Sequence, residues 1–249
     1  LDIQTLVPTG KREKDDVEYI LEVLDSDPNE FFGTNLGIYS AKMDEIINRM
    51  DYISDYEPEK DGGVFIYSNF REVEGVAIMG RALMHHGYTQ YKLGDENKPD
   101  FQFDGRKYVI LGEKDESKQS IIDVYNSRAN LFLPAVAEDG SFLRDEDGTY
   151  IDDECNSIPY IGAGRIIKIL LGTAVVSEGV DLYNVRQVHI LEPHWNMVRI
   201  DQTIGRARRF CSHKALPQEY WTFTTWIYIS ILDPQYQSRD ALSTDEIIY

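Results

Sequence analysis

The chain has 249 residues, of which 42% are hydrophobic, so it can build one large domain with a substantial core. Its formal net charge of −18 argues against nucleic-acid binding through the whole surface. It contains no apolar run near the roughly 20 residues that span a bilayer, and its two cysteines, Cys155 and Cys211, form neither a disulfide framework nor a metal-binding spacing.

The first 60 residues are acidic and are predicted to form a helical lead-in that packs on the core. Lys14 to Leu24 predicts an amphipathic helix that stops at the run Asp25–Asn29, and the helical spacing of apolar residues from Ile38 to Met50 predicts another. The chain begins at Leu1 without an initiator Met or a signal pattern, so we expect a piece of a longer protein.

Residues 61–249 are predicted to form the main domain, in which strands and helices alternate. The predicted strands are Val64–Ser68, Tyr108–Leu111, Ile166–Leu171, Val188–Leu191 and Trp221–Leu232, and the predicted helices are Arg71–His86, Ser117–Asn130 and Asn196–Phe210. This alternation predicts an α/β fold with a parallel sheet flanked by helices. Residues 134–158 are polar and aperiodic, which predicts an acidic surface insertion.

The helix predicted near residue 200 carries the pattern Q-x-x-G-R-x-x-R. Gln202, Arg206 and Arg209 fall on one helix face, because they are spaced by four and three. The other face is apolar at helical spacing, through Met197, Ile200, Ile204, Ala207 and Cys211. Two guanidiniums one turn apart suit a polyphosphate. A mid-helix glycine, Gly205, fits the close approach of a ligand or another backbone, whereas Arg208 reads as an ordinary solvated cation.

The segment from Gly172 to Leu182 follows a predicted strand and contains glycine, serine and threonine. Such a loop places N–H groups and hydroxyls at the carboxyl edge of a parallel sheet, where ligands bind. Thr173 and Ser177 are suited to donate to phosphates, and Asp181 to accept from ribose hydroxyls. Asp181 as a simple helix cap remains the alternative.

Ser68 and Asn69 end the first predicted strand of the main domain. They are equally well suited to bind phosphate oxygens and to cap the helix that follows. The segment from Val188 to Asn196 contains two histidines and Glu192, but they lie across a strand end with no further ligand, so we predict no metal site there. His194 and Trp195 are expected to pack the loop that orients the arginine helix.

Together these motifs resemble the second motor domain of superfamily 2 helicases and translocases. Gln202 to Arg209 is similar to the last signature motif of that family, Gly179-Val180-Asp181 with Thr173 to the motif before it, and Phe65 to Phe70 to the first motif of the second domain. The resemblance covers roughly residues 60–232. Three segments resemble in sequence the poxvirus and asfarvirus helicase-like transcription ATPases. They are Gly63–Phe70, Val188–Asn196 and Phe210–Lys214.

The resemblance implies a RecA-like fold and a role for each matching residue. Arg206 and Arg209 would reach the β- and γ-phosphates of ATP, Gln202 would align them, and Gly179, Asp181 and Gly205 would lie at the nucleotide. The residues that would grip a DNA or RNA strand are Ser68, Asn69, Thr173 and Ser177.

The phosphate-binding loop G-x-x-x-x-G-K-[ST] and an acidic pair for Mg²⁺ do not occur in this sequence. We therefore expect ATP and Mg²⁺ to be held by an N-terminal lobe of the same parent chain. The resemblance also implies a viral transcription protein in the cytoplasm, the viral factory and the virion, with RNA polymerase or transcription-factor subunits as partners and no membrane association. The alternative is a protein-interaction module of a transcription complex, which the acidic composition favours.

Overall fold

The computed structural model describes residues 14–51, 62–71, 75–93, 106–111, 118–126, 166–173, 180–210, 212–213 and 221–231, together with 146, 150–151, 157–158, 176 and 245. Its helices are α1 (Lys14–Ser26), α2 (Pro28–Phe32), α3 (Leu36–Tyr39), α4 (Ala41–Asp51), α5 (Val76–His85), α6 (Lys118–Tyr125) and α7 (Met197–Ala207). Its strands are β1 (Gly63–Tyr67), β2 (Thr89–Gln90), β3 (Lys107–Ile110), β4 (Tyr150–Ile151), β5 (Ser157–Ile158), β6 (Ile169–Gly172), β7 (Val185–Ile190) and β8 (Thr224–Ile227).

Six of the described strands form one sheet in the order β2-β3-β6-β1-β7-β8. Every neighbouring pair in this sheet is parallel, which confirms the predicted α/β class. The central strand β1 pairs with β6 on one side and β7 on the other. Since all strands run the same way, the segments that follow β1, β6 and β7 meet at one edge, called here the carboxyl edge.

Helices cover both faces of this sheet, which explains why β1 is a continuous apolar run. Phe65 and Tyr67 point into the core cluster under α6 and α7. Val64 and Ile66 point into the opposite cluster, which α2 to α5 complete. The helical lead-in therefore shares a core with the sheet. The predicted domain boundary near residue 60 falls outside the described residues.

Several predicted boundaries differ from the structure for local reasons. The helix expected over Ile38–Met50 is interrupted at Ser40, whose extended backbone separates α3 from α4 and whose Oγ accepts from the Met43 N–H at 3.4 Å. The helix expected from Arg71 begins at Val76, because Gly75 is pressed against Phe70 and Ser68 and a Cβ there would lie 1.9 Å from the Phe70 carbonyl oxygen.

The short helix α2 and the short strands β2, β4 and β5 were not predicted. Strand β2 has only two residues, so it carries no alternation to read. The insertion predicted at 134–158 contains the antiparallel pair β4 and β5, and its other residues, apart from 146, lie outside the described part of the chain.

Candidate functional site

Helix α7 holds Gln202, Gly205 and Arg206 of the predicted pattern and begins at a side-chain cap. It ends at Ala207, with Arg208 as the C-cap, so the prediction that Arg209 lies on the same helix face is wrong. The Asn196 Oδ1 accepts from the Val198 N–H at 3.1 Å, which satisfies one of the free donors of the first turn. Ile200 and Ala207 are buried as predicted, and Gln202 is exposed as predicted. Met197, expected in the buried stripe, is exposed, and Cys211 lies outside the described residues.

Thr203 takes the buried position on α7 that the apolar pattern did not assign to it. Its side chain is fully buried, and its hydroxyl donates to the Arg199 carbonyl at 2.9 Å. A threonine hydroxyl satisfied by its own helix can enter a core at little cost. Because threonine is polar, the apolar pattern did not predict that position 203 is buried.

Gly205 lies on the exposed side of α7, between Gln202 and Arg206. A Cβ built at Gly205 meets no heavy atom within 4 Å. No described backbone approaches it, so the packing of this chain does not require a glycine there. The open space leaves room for a ligand or another domain.

The end of α7 is bonded to the segment that precedes β7. The Arg209 Nη1 lies 2.6 Å from the Asp181 Oδ1, and both side chains are about two-fifths exposed. One residue on, the Leu182 N–H donates to the Arg206 carbonyl at 3.2 Å. The structure therefore brings Asp181, Arg206 and Arg209 together, although they are more than twenty positions apart in the sequence.

Asn126 was not among the predicted site residues, but its side chain bonds the backbone of the Asp181–Tyr183 segment. Its Nδ2 donates to the Asp181 carbonyl and its Oδ1 accepts from the Tyr183 N–H, both at 2.8 Å. The side chain is nearly buried, at 4% exposure, just after α6. Both ends of the amide are thus used to fix the backbone around Asp181. An asparagine at a helix end gives no sequence signal of such a long-range contact.

The residues after α7 fasten the same region. The Ser212 carbonyl accepts from the Asn184 N–H at 2.8 Å, and the His213 Nε2 lies 2.7 Å from the Val185 carbonyl. Asn184 adopts a left-handed backbone with φ of 58°, which asparagine tolerates better than most residues. These bonds fix where α7 ends relative to the start of β7.

At the carboxyl edge, a loop of Ser68, Asn69 and Phe70 follows β1. Ser68 is fully buried, its hydroxyl donates to the Glu192 Oε1 at 3.0 Å, and its Oγ accepts from the Phe70 N–H at 3.0 Å. The Asn69 N–H donates to the Glu192 Oε2 at 3.0 Å. Ser68 thus caps no helix, and its hydroxyl is turned away from solvent, whereas the Asn69 side chain is half-buried.

Thr173 lies at the same edge, directly after β6. Its neighbour Gly172 packs so closely that a Cβ would lie 2.3 Å from Val176. Thr173 is largely buried, at 9% exposure, and the Ser68 N–H donates to the Gly172 carbonyl at 3.1 Å, which holds the two loops side by side. Ser177 and Gly179 lie outside the described residues.

The predicted site residues therefore fall into two groups at opposite ends of the sheet. Thr173 and the Ser68 loop lie at the carboxyl edge, whereas Asp181 lies near the amino end of β7, beside Asn126. The predicted location of the segment from Gly172 to Leu182, in one crevice at the carboxyl edge, is wrong for Asp181. The chain crosses back to start another parallel strand, so the two ends of the segment separate. Helix α7, of 11 residues and about 16 Å, spans the same distance.

The segment between β7 and α7 contains one expected and one unexpected arrangement. His194 orders the loop, since its Nδ1 accepts from the Asn196 N–H at 3.0 Å. Trp195, which was expected to pack there, is 77% exposed and touches His194 only through a stacked ring contact at 5.5 Å. The described residues contain no cluster of three or more His, Cys, Asp or Glu side chains able to hold a metal ion.

Two titrating groups at the carboxyl edge are shifted, chiefly by burial. Desolvation raises the pKa of Glu192 to about 7, although the bonds from Asn69 and Ser68 and the Lys42 charge oppose it. Burial also raises the pKa of Tyr67, against the nearby Arg199 guanidinium. Near neutral pH, the Glu192 carboxyl group is therefore close to the midpoint of its titration.

Comparison with known proteins gives one family and several relatives. The family described as the helicase conserved C-terminal domain matches residues 155–211. A protein of Acanthamoeba polyphaga mimivirus named as an ATP-dependent RNA helicase is 29% identical over 82% of this chain and 30% of its own length. The African swine fever virus protein named Termination factor NPH-I homolog is 35% identical over 68% of this chain and 24% of its own length.

The chain thus spans less than a third of these relatives. Among solved structures, the C-terminal part of the Fun30 ATPase domain aligns with 93% of this chain and 60% of its own, at 12% identity and a TM-score of 0.44. None of the helices that the structure describes is long and apolar enough to cross a membrane.

Proposed function

We propose that the chain is the second RecA-like motor domain of an ATP-dependent helicase or translocase, which its likeness to the helicase conserved C-terminal domain and to viral helicase-like proteins supports. In this proposal a preceding lobe of the same protein holds ATP and Mg²⁺. The observation that carries the proposal is the Arg209–Asp181 ion pair at the end of α7, next to the backbone bond from Leu182 to the Arg206 carbonyl, with open space beside Gly205 on the same helix.

The nucleotide side of the proposal uses the charge and position of α7. Arg206 lies in the last turn of α7 and Arg209 lies just beyond its C-cap, and their guanidiniums suit the forked oxygens of a β/γ-phosphate. The Asp181 carboxylate fixes one of them before a nucleotide arrives, and a site arranged in advance loses less entropy on binding. Gln202 is exposed on the same helix and would align the phosphate oxygens. Gly205 leaves the nucleotide room to approach.

The resemblance to the helicase family assigns the Mg²⁺ ligands to the preceding lobe. When bound there, the metal neutralises charge that develops on the transferred phosphoryl group. The residues of this chain would supply the remaining positive charge from the opposite side. Residues 159–214 carry eight Lys and Arg against four Asp and Glu, which supports this placement on an otherwise acidic protein.

The strand side of the proposal lies at the carboxyl edge. Asn69 and Thr173 follow adjacent strands, so both are positioned to bond successive phosphates of one DNA or RNA strand. Ser68 contributes by shaping the loop, because its hydroxyl is already bonded to Glu192. Ser177 and Gly179 keep the roles implied by the resemblance, contact with the strand and with the nucleotide. Closure of the lobes on ATP and release after hydrolysis would ratchet the strand.

A second candidate is a docking role within a viral transcription complex, in which ATP drives remodelling rather than unwinding. Residues 1–158 hold 34 Asp and Glu against 16 Lys and Arg, which favours a basic protein partner such as a polymerase or transcription-factor subunit. The proposed location is then the cytoplasm, the viral factory and the virion. Deleting residues 134–158 would abolish capture of the polymerase in this reading and leave ATP hydrolysis unchanged in the motor reading.

The motor proposal is tested by comparing this 249-residue chain with the longer protein that contains it. The chain alone is expected to hydrolyse no ATP, because the sequence has no phosphate-binding loop. The longer protein is expected to hydrolyse ATP and to be stimulated by an oligonucleotide. Robust turnover by the 249-residue chain would refute the proposal.

A further inference from the structure

Glu192 joins two segments that the proposed function uses separately. It lies two residues after the end of β7 at Ile190, and it precedes the His194–Asn196 segment that leads into α7. Its two carboxylate oxygens each accept one bond from the loop after β1, at 3.0 Å from the Ser68 Oγ and 3.0 Å from the Asn69 N. Both bonds span more than 120 positions of sequence.

Burial disfavours the charged form of Glu192 and raises the pKa of its carboxyl group to about 7. Three titrating groups face it: Lys42 of α4, Asp245, and Tyr67 of β1. Lys42 is itself engaged, because its Nζ donates to the Leu191 carbonyl at 3.1 Å and to the Asp245 carboxylate at 2.7 Å. The carboxyl group satisfies both neighbouring donors with a single side chain, one on each oxygen.

A second, weaker link runs parallel to the first. The Tyr67 hydroxyl donates to the Asn69 Oδ1 at 3.1 Å, which orients the side chain proposed to contact a strand. The same tyrosine lies beside Arg199 of α7, whose charge and hydrogen bond oppose the rise in its pKa. The loop after β1 is therefore attached to both the start and the first turn of α7.

We propose that Glu192 is a positioning residue that locks the Ser68–Phe70 loop to the start of α7, so that the strand-contact loop and the arginine-bearing helix move as one body. A phosphate bound at the carboxyl edge would in this way change the position of Arg206 and Arg209, which lie at the far end of α7, about 16 Å away. The inference rests on the proposed function for its consequence, but the lock itself is a property of the fold.

The test uses the longer protein that contains this chain, with Glu192→Ala, Glu192→Gln, Ser68→Ala and the double alanine variant. Glu18→Ala on α1 removes an exposed acid far from the lock and serves as the matched control. Glutamine keeps the shape and one acceptor without the charge, as protonated Glu192 would. Hydrogen exchange of the amides of residues 69–71 is measured first, because it does not depend on any activity.

Glu192→Ala is expected to speed exchange at residues 69–71 by about tenfold or more, the size expected for losing a hydrogen bond to a charged group. The oligonucleotide concentration for half-maximal stimulation of ATP hydrolysis should rise by a similar factor, with less than a twofold change in KM for ATP. Glu192→Gln, which keeps one acceptor, should show a smaller defect than Glu192→Ala. Ser68→Ala also removes the acceptor of the Phe70 N–H, so the double variant should match Glu192→Ala at Asn69 and exchange faster at Phe70.

The outcomes separate the lock from the proposed function. Unchanged exchange at residues 69–71 in Glu192→Ala would overturn the lock, whatever the activity. Equal defects in the glutamine and alanine variants would also overturn it, since charge rather than position would then matter. Faster exchange with unchanged oligonucleotide dependence would refute the coupling. A wild-type protein without stimulation would refute the proposed function, and the exchange measurement would still decide the lock.

Discussion

Gly205→Ala is expected to stabilise this chain and at the same time impair the protein that contains it. A helical glycine is less stable than alanine by about 0.5–1 kcal/mol. The added Cβ meets no heavy atom within 4 Å, and Gly205 is not among the described glycines with positive φ, so no clash or strain offsets the gain. For a chain of this size, 1 kcal/mol raises Tm by about 2–4 °C.

The matched control is Gly80→Ala in α5. There the added Cβ would lie 3.1 Å from Ile110 and 3.2 Å from Tyr108, so the gain in helix propensity is opposed by crowding. Thermal unfolding of both variants should show an increase for Gly205→Ala and a smaller increase or a loss for Gly80→Ala. ATP hydrolysis by the longer protein should fall with Gly205→Ala.

Two results would refute this reasoning. A lower Tm for Gly205→Ala in the 249-residue chain would mean that something occupies the space beside α7. A higher Tm with unchanged ATP hydrolysis in the longer protein would mean that no nucleotide or lobe approaches Gly205, and the glycine would then have no part in the site.

Three further predictions concern the supports of the site. Asn126→Ala should lower the free energy of unfolding by about 1–3 kcal/mol for each buried backbone group left unpaired, and a loss under 0.5 kcal/mol in urea titration would contradict the clamp. Asp181→Asn should change stability by less than about 1 kcal/mol, because the pair is partly exposed, yet slow ATP hydrolysis by the longer protein. Burial, aided by the Arg49 charge, lowers the pKa of His189 to about 3, so between pH 6.5 and 3 the unfolded chain binds a proton that the folded chain does not. The free energy of unfolding should therefore fall with falling pH in that window, and His189→Gln should remove that part of the slope; an unchanged slope would contradict the assignment.

Much of the fold could be predicted because the apolar runs are long and separated by helical patterns. β1 illustrates this, since each of its residues faces a buried layer and the run is unbroken. The predicted start of β7 was three residues late, because Arg186 and Gln187 near its start hide the strand pattern. The two-residue strand β2 carried no pattern at all.

The sequence predicted which residues belong to the candidate site but only part of their spatial arrangement. The Gln/Arg spacing predicted a shared helix face, which holds for Gln202 and Arg206, whereas Arg209 lies beyond the end of α7 and pairs with Asp181. That Asp181 and Thr173 lie at opposite edges depends on a chain crossing that spacing does not encode. Asn126 and Glu192 act through contacts 55 to 124 positions away, and one sequence contains no signal for such pairs.

The most direct test of the motor proposal is single-turnover ATP hydrolysis by the longer protein with Arg209→Ala. Arg208→Ala is the matched control, since Arg208 is exposed at the end of α7 and outside the shared face. The proposal predicts a fall of about 10³–10⁵ in the hydrolysis rate for Arg209→Ala, with ATP affinity largely kept and Arg208→Ala near wild type. A rate within a few-fold of wild type for Arg209→Ala would contradict it.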